Sequence, residues 1–314
     1  FWRSDSRSFG ASEQYKQSAG HHPAPSFWSK MTIRTVGVVG AGTMGAGIAQ
    51  AAALAGYGVI LYDVSQDLLE KAIDHIYALI DKGVALGKVE EAAARAAREA
   101  LRATTTLHDM AEAGLIVEAV PEKLALKQEI FSRLDALTAR ETILASNTSS
   151  LSITALAGAT NHPERVIGLH FFNPAHIMRL VEIIRGEDTS DETVAAADAF
   201  VGRLGKQAVH CQDTPAFVVN RVARPFYGEA FRLLGEGAAD VATIDRLMRS
   251  IGFRMGPFEL IDLIGCDINY DVTRAVYEAY FQEPRYRPHP IQQRMVESGR
   301  LGRKSGRGFY SYDK

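Results

Sequence analysis

Short runs rich in Val and Ile alternate with stretches of helical period over the first two thirds of the chain, and then the short runs stop. Val36–Val39, Gly58–Tyr62, Leu115–Val120 and Thr142–Ala145 have the length and β-branched content of buried strands. Between them, residues 44–55 are mostly Ala, Ile, Leu and Met, a composition that favours helix. Residues 64–102 read as two helices broken by Gly83 and Gly87, the first with Leu68, Leu69, Ala72, Ile73, Ile76 and Ile80 at helical spacing. Another helix is predicted over 124–137. Strands that alternate with helices imply a parallel sheet covered on both faces, so the fold class is α/β. Two further β-rich runs, Val166–His170 and Met178–Ile184, flank a Pro-containing turn that sets their ends side by side. A helix near 191–204 and a strand at 208–211 follow. From Asp213-Thr-Pro215 onward helical periodicity dominates, with apolar stripes in 216–235, 241–251 and 267–281. The boundary of an all-helical C-terminal domain, 213–314, is therefore set there, where Asp-Thr-Pro can cap its first helix. Residues 1–30 are rich in Ser, Arg, Gln and His, have no period, and precede a natural-looking start at Met31. They read as a disordered leader or tag outside the fold.

The glycines after the first run turn this pattern into a candidate binding site. Gly40, Gly42 and Gly45 fit G-x-G-x-x-G/A between a strand and a helix, and Asp63 ends the next strand. The first glycine permits a tight turn, the second lets a pyrophosphate approach the backbone, and the third lets the helix pack on the strand. The loop Gly40, Ala41, Gly42, Thr43, Met44, Gly45 would present N–H groups and the positive end of a helix dipole to phosphate. This makes 31–212 a Rossmann-like dinucleotide-binding domain. Asp63 can accept two ribose hydrogen bonds and would repel a 2′-phosphate, and Val64, Ser65 and Gln66 offer no arginine to hold one. NAD is expected rather than NADP.

Composition narrows the partners. The chain is 46% apolar and 23% charged, as soluble globular proteins are. A net charge of -2 gives no electrostatic reason for a nucleic-acid or membrane partner. Cys211 and Cys266 have no metal or redox spacing and suit a reducing compartment. A cytoplasmic protein without disulfide or metal is expected.

A nicotinamide site needs a base to take the proton of the substrate carbinol, and histidine suits that task at neutral pH. Of nine histidines, His170 ends a buried strand at the sheet edge where ligands bind, as do Asp63, Glu122, Asn147 and Ser149 at theirs. Glu182 follows beyond the Asn173-Pro174 turn, and a carboxylate on the second ring nitrogen would fix the tautomer and stabilise the imidazolium. Spacing leaves His176 open as a rival.

With these residues in place, the chain from Met31 to Tyr312 resembles the NAD-dependent L-3-hydroxyacyl-CoA dehydrogenases, especially the bacterial 3-hydroxybutyryl-CoA type. The resemblance rests on eight blocks in order: VGVVGAGTMGAGIA, EAVPEKLALKQEIF, ASNTSSLSI, GLHFFNP, LVEII, DTPAFVVNR, MGPFELIDLIG and GRKSGRGFY. It implies that His170 is the catalytic base and Glu182 its orienting carboxylate. It implies that Ser149 contacts the substrate hydroxyl and the cofactor, and that Asn220 reaches the site from the helical domain. Asn173, Glu122, Lys127 and Lys304 match cofactor contacts, and Lys82 and Lys88 are the choice for the CoA phosphates. A homodimer through the helical domain, acting on acyl-CoA in fatty-acid (β-oxidation) or aromatic breakdown, is implied as well. Ala175-His176-Ile177 replaces the commoner Val-Pro-Val, and the C-terminal half resembles acyl-CoA enzymes of phenylacetate breakdown, so a dicarboxylic acyl-CoA is an option. Two other readings are a dehydrogenase of a free hydroxy acid of gulonate or carnitine type, and an NAD-binding protein that has lost catalysis.

Overall fold

The apolar runs assemble into one eight-stranded sheet. In the computed structural model, which describes residues 33–312, the strands are β1 (Thr35–Val39), β2 (Gly58–Tyr62), β3 (Leu101–Thr104), β4 (Leu115–Glu118), β5 (Ile143–Ser146), β6 (Val166–Phe171), β7 (Leu180–Arg185) and β8 (Gln207–Gln212). Their spatial order is β3-β2-β1-β4-β5-β6-β7-β8. Every neighbouring pair is parallel except β6 and β7. The order reverses direction between β1 and β4, the switch point outside which such sheets bind ligands. The leader assigned to 1–30 lies outside the described residues.

Side-chain alternation along the strands builds two cores. On β2, Val59 and Leu61 join the cluster under α1 (Thr43–Leu54), α2 (Gln66–Ala85) and α3 (Glu91–Glu99), while Ile60 and Tyr62 face the opposite layer. That layer is α4 (Leu124–Leu137) and α5 (Ile153–Ala157), through Ile130, Phe131, Leu134 and Leu156. α6 (Asp191–Arg203) returns to the first face, with Ala197, Phe200 and Val201 buried. Both faces are covered, so the inner strands β1, β2, β4 and β5 are near-continuously apolar.

Two expectations need correction. Gly83 does not break a helix: α2 runs through it to Ala85, and an added Cβ there would lie 2.7 Å from Val89. The break is at Gly87, in the left-handed region at φ +64°. The predicted second helix also ends early, because Leu101–Thr104 pairs with β2 as an edge strand. Its sequence, Leu-Arg-Ala-Thr, is too short and too polar to show a period of two.

After β8 the chain is helical: α7 (Val219–Gly235), α8 (Val241–Ser250), α9 (Pro257–Ile264), α10 (Cys266–Ala279) and α11 (Pro290–Glu297). They pack around Phe231 and Phe258, whose rings meet edge-on at 5.6 Å. Two buried carboxylates tie the C-terminal segment to this core. Asp245 accepts the N–H groups of Phe258 and Glu259 and the Tyr310 hydroxyl, and Asp262 accepts the N–H groups of Phe309 and Tyr310. The MGPFELID and GRGFY blocks thus have a structural use. By contacts, Thr32–Lys314 forms one unit.

Candidate active site

Each glycine of the first loop is constrained differently. Gly40 sits at φ +106°, and a Cβ there would lie 2.8 Å from the Ala119 carbonyl oxygen. A Cβ at Gly45 would lie 1.8 Å from the carbonyl oxygen of Gly40, so the helix rests directly on the turn. A Cβ at Gly42 would meet nothing within 4 Å. Gly42 also caps α1 without a side-chain hydrogen bond, and the first turn has no acid. An open backbone at an uncapped helix N-terminus fits the diphosphate of a dinucleotide. We expect Gly45→Ala to destabilise the fold by about 1–3 kcal/mol, the usual cost of overpacking, and to weaken NADH binding. A thermal melt and a fluorescence titration that both match wild type would refute the close packing as its role.

Asp63 stands against this loop. Its Oδ2 accepts the Ala41 N–H at 2.8 Å and its Oδ1 the Ser65 N–H at 3.0 Å, so the carboxylate is held at the end of β2 beside the glycines. On the other side of the switch point, Glu122 gathers the loop after β5. Its Oε1 accepts from the Thr148 hydroxyl at 2.6 Å and from the Ser149 and Ser150 N–H groups at 2.8 and 3.1 Å. Burial alone would raise the Glu122 carboxyl, but Lys127 and these hydrogen bonds outweigh it and hold it below the usual range. Lys127 is itself buried. Its ammonium reaches Glu118 at 2.7 Å, the Val120 carbonyl at 3.3 Å and Glu122 at 3.3 Å. Lys127 is therefore placed to support Glu122 and the strand end from beneath.

His170 and Glu182 are direct cross-strand partners in the one antiparallel pair of the sheet. Side chains opposite one another on such a pair share a face at contact distance. The imidazole Nδ1 lies 2.7 Å from Glu182 Oε2, with both side chains buried. Burial would raise the Glu182 carboxyl, and the hydrogen bonds from His170, Val219 and Val218 together overcome it and keep it ionised. An ionised carboxylate only accepts, so Nδ1 carries the hydrogen and Nε2 is the nitrogen left without a partner among the described residues. The ring is steadied by Phe172 and Phe217, at centroid distances of 4.5 and 5.9 Å.

The other oxygen of Glu182 has a second task that the sequence did not reveal. Oε1 accepts the N–H groups of Val218 and Val219, at 2.9 and 2.8 Å, and so caps the N-terminus of α7. Asn220 is the next residue. One carboxylate thus holds both the imidazole and the helix that carries Asn220. The chain enters this helix through Ala216 and Phe217 at φ +66° and +50°, a strained pair that seats Phe217 against His170.

A cavity of about 280 Å³ lies where these elements meet, lined by Ser149, His170, Asn173, Asn220 and Met44 among others. Asn147 also lines it and accepts the Phe171 N–H at 2.8 Å, fixing the end of β6. A second cavity, of about 320 Å³, shares Asn173 and continues past His75, Leu79 and His176. His176, the rival base, lines this second cavity and not the first, and burial followed by His75 and Lys206 lowers its pKa. Lys82 and Lys88 are exposed around the end of α2 and line neither cavity. Lys304 pairs with Asp267 at 2.6 Å and is likewise outside both linings. Arg224 and Asn269 were missed in the sequence but line the first cavity. Arg224 follows Asn220 by one helical turn, a spacing that puts both on one face of α7 and could have flagged it.

Comparison with known proteins covers almost the whole described chain. Residues 35–214 match the family model described as "3-hydroxyacyl-CoA dehydrogenase, NAD binding domain", and residues 217–312 match its C-terminal domain. The chain is 46% identical to the 3-hydroxyadipyl-CoA dehydrogenase of Escherichia coli K12 over 90% of its own length, and spans 60% of that relative. It is 45% identical to the 3-hydroxybutyryl-CoA dehydrogenase of Bradyrhizobium diazoefficiens, over 89% of this chain and 96% of the other. Among solved structures, the (S)-3-hydroxybutyryl-CoA dehydrogenase of Ralstonia eutropha superposes with a TM-score of 0.87 at 42% identity, covering 90% of this chain and 100% of the other.

Proposed function

The chain belongs to the 3-hydroxyacyl-CoA dehydrogenase family, and from that premise we propose that it catalyses the reversible, NAD-dependent oxidation of a (3S)-3-hydroxyacyl-CoA to the 3-ketoacyl-CoA. The observation that supports it best is the buried His170–Glu182 pair at the cavity shared by Ser149 and Asn220. The glycine loop Gly40–Gly45 and Asp63 would hold NAD, which would supply the hydride acceptor for C3. The chain supplies the rest. His170 Nε2 takes the hydroxyl proton, and the charge gained by the ring is answered by Glu182 at Nδ1. Ser149, held through its N–H by Glu122, orients the hydroxyl from the sheet side, and Asn220 does so from α7. Holding the carbinol between them supplies the proximity that the step needs, and the apolar wall of Val219, Ala223, Ile264 and Ile268 limits water. In the reverse direction the imidazolium returns the proton.

Asp63 is assigned to the adenosine ribose, with the glycine loop, Glu122 and Asn173 as further cofactor contacts, and Lys127 and Lys304 as basic support. Lys82 and Lys88 are assigned to the CoA phosphates. We expect Asp63→Ala to raise KM for NADH roughly ten- to a hundredfold, the worth of a hydrogen bond to a charged group, with a smaller change in kcat. An unchanged KM would remove Asp63 from cofactor binding.

The division into an NAD-binding domain, 31–212, and a helical domain, 213–314, is part of this reading, as is a homodimer through the helices. The helical half exposes Val222, Ile251, Phe253 and Phe281, apolar surface that suits a self-association face. Both cysteines are free, as in a reducing cytoplasm, and no helix of the described residues is long and apolar enough to cross a membrane. Fatty-acid β-oxidation or aromatic breakdown is the metabolic setting assigned. The direct test is NADH oxidation with acetoacetyl-CoA. Oxidation of free hydroxy acids with no turnover of any 3-ketoacyl-CoA would reject it.

A further inference from the structure

The cavity beside His170 contains a buried positive charge that the reaction above does not use. Arg224, on α7, is only 5% exposed, yet among the described residues it makes no ion pair with a carboxylate. Its partners are all neutral. Nε donates to the Asn220 carbonyl at 3.3 Å, and Nη1 donates to the Asn269 carbonyl at 3.1 Å and the Thr273 hydroxyl at 2.9 Å. The guanidinium also lies over the Tyr227 ring at 5.0 Å. Nη2 donates to nothing among the described residues. Burial brings the group down to about 10, so it remains charged at neutral pH. A desolvated cation without a counter-ion is unfavourable unless something answers it.

A second donor in the same wall is unanswered. Asn269, on α10, is 1% exposed, and its Oδ1 accepts from Gln292 Nε2 at 2.6 Å. That bond fixes the amide, and its Nδ2 is buried with no hydrogen-bond partner. Behind Arg224, a smaller cavity is lined by Arg285, Arg287 and His289 and by no acid, so the surroundings reinforce the positive potential. Two elements from different helices thus bring donors, and no acceptor of negative charge, to one end of a substrate-sized space.

We propose that Arg224, assisted by Asn269, receives the terminal carboxylate of a dicarboxylyl-CoA substrate, so that this chain prefers 3-hydroxyacyl groups that end in a second acid. The proposal rests on the acyl-CoA dehydrogenase reading and specifies its substrate class. A carboxylate matches the planar fork of the guanidinium, supplies the missing counter-ion and can accept from the Asn269 amide. An acyl chain of equal length ending in methyl leaves both donors unanswered, which is the form of discrimination that buried polar groups enforce most strongly.

The test compares kcat/KM for 3-oxoadipyl-CoA and 3-oxohexanoyl-CoA, which have the same acyl length with and without the terminal acid. Wild type is expected to favour the diacid by roughly a hundredfold or more. Arg224→Met should reverse that preference. Asn269→Asp, which places a fixed carboxylate beside the guanidinium, should lower the ratio without removing the arginine, and it stands as an independent check should Arg224→Met fail to fold. Equal activity on both substrates in wild type, or equal loss on both in the two variants, overturns the assignment while leaving the dehydrogenase reading intact. No turnover of either thioester with NADH overturns both.

Discussion

His170→Gln is expected to lower kcat for 3-hydroxyacyl-CoA oxidation by about a hundred- to ten-thousandfold, the range that a positioned base contributes. Glutamine can still donate to Glu182 Oε2 from its amide, so the carboxylate keeps a partner and the β6–β7 pair stays intact. What it lacks is a nitrogen able to take a proton at neutral pH. The loop at Gly40–Gly45 and the Asp63 carboxylate are untouched, so the dissociation constant for NADH should stay close to wild type. Steady-state turnover together with a fluorescence titration of NADH separates the two effects. A rate within tenfold of wild type would show that the proton leaves by another route.

Glu182→Gln is expected to be nearly as severe, for a reason specific to this geometry. The two N–H groups at the start of α7 demand an acceptor at Oε1, which fixes the amide oxygen there. The amide nitrogen then faces His170 Nδ1 as a donor. The imidazole must accept at Nδ1, its hydrogen moves to Nε2, and the nitrogen that faces the substrate can no longer act as base. A neutral side chain also leaves the imidazolium without its charge partner. The loss of kcat should be about a thousandfold or more, as for a wrong tautomer in other enzymes that use an acid-backed histidine.

The same variant gives a signature in stability. The hydrogen bonds that outweigh burial hold the folded Glu182 carboxyl below its unfolded value of 4.5. Its contribution to stability is fully present above that value and is lost as pH falls through the lower folded one. Wild type should therefore melt well above Glu182→Gln at neutral pH, and the gap should narrow in acid. A gap independent of pH would mean that the carboxylate charge is not what Val218, Val219 and His170 hold.

Much of this was legible in the sequence because it depends on local pattern. Val36–Val39, the three glycines and Asp63 lie within one strand–helix–strand unit, and their spacing alone places them. His170 and Glu182 could be brought together because two β-rich runs around a short turn pair in antiparallel, and the observed register sets them opposite. What stayed hidden depends on contacts between distant segments. That Glu182 caps α7 involves residues more than thirty positions away, and no periodicity reports it. Lys127 is matched to a cofactor contact by the resemblance, and no spacing shows that Glu118 and Glu122 draw it inside. Arg224 and Asn269 meet only because α7 and α10 pack together. β3 was lost because an edge strand of four residues has too few positions to show alternation.

The strand pairing that sets His170 opposite Glu182 also divides the labour of evolution. The pair proposed to handle the proton is held by the backbone ladder of β6 and β7, whereas the far wall of the cavity is made by side chains of α7, α9 and α10. Exchanges on those helices can retune which acyl tail is accepted while the acid–base pair keeps its register.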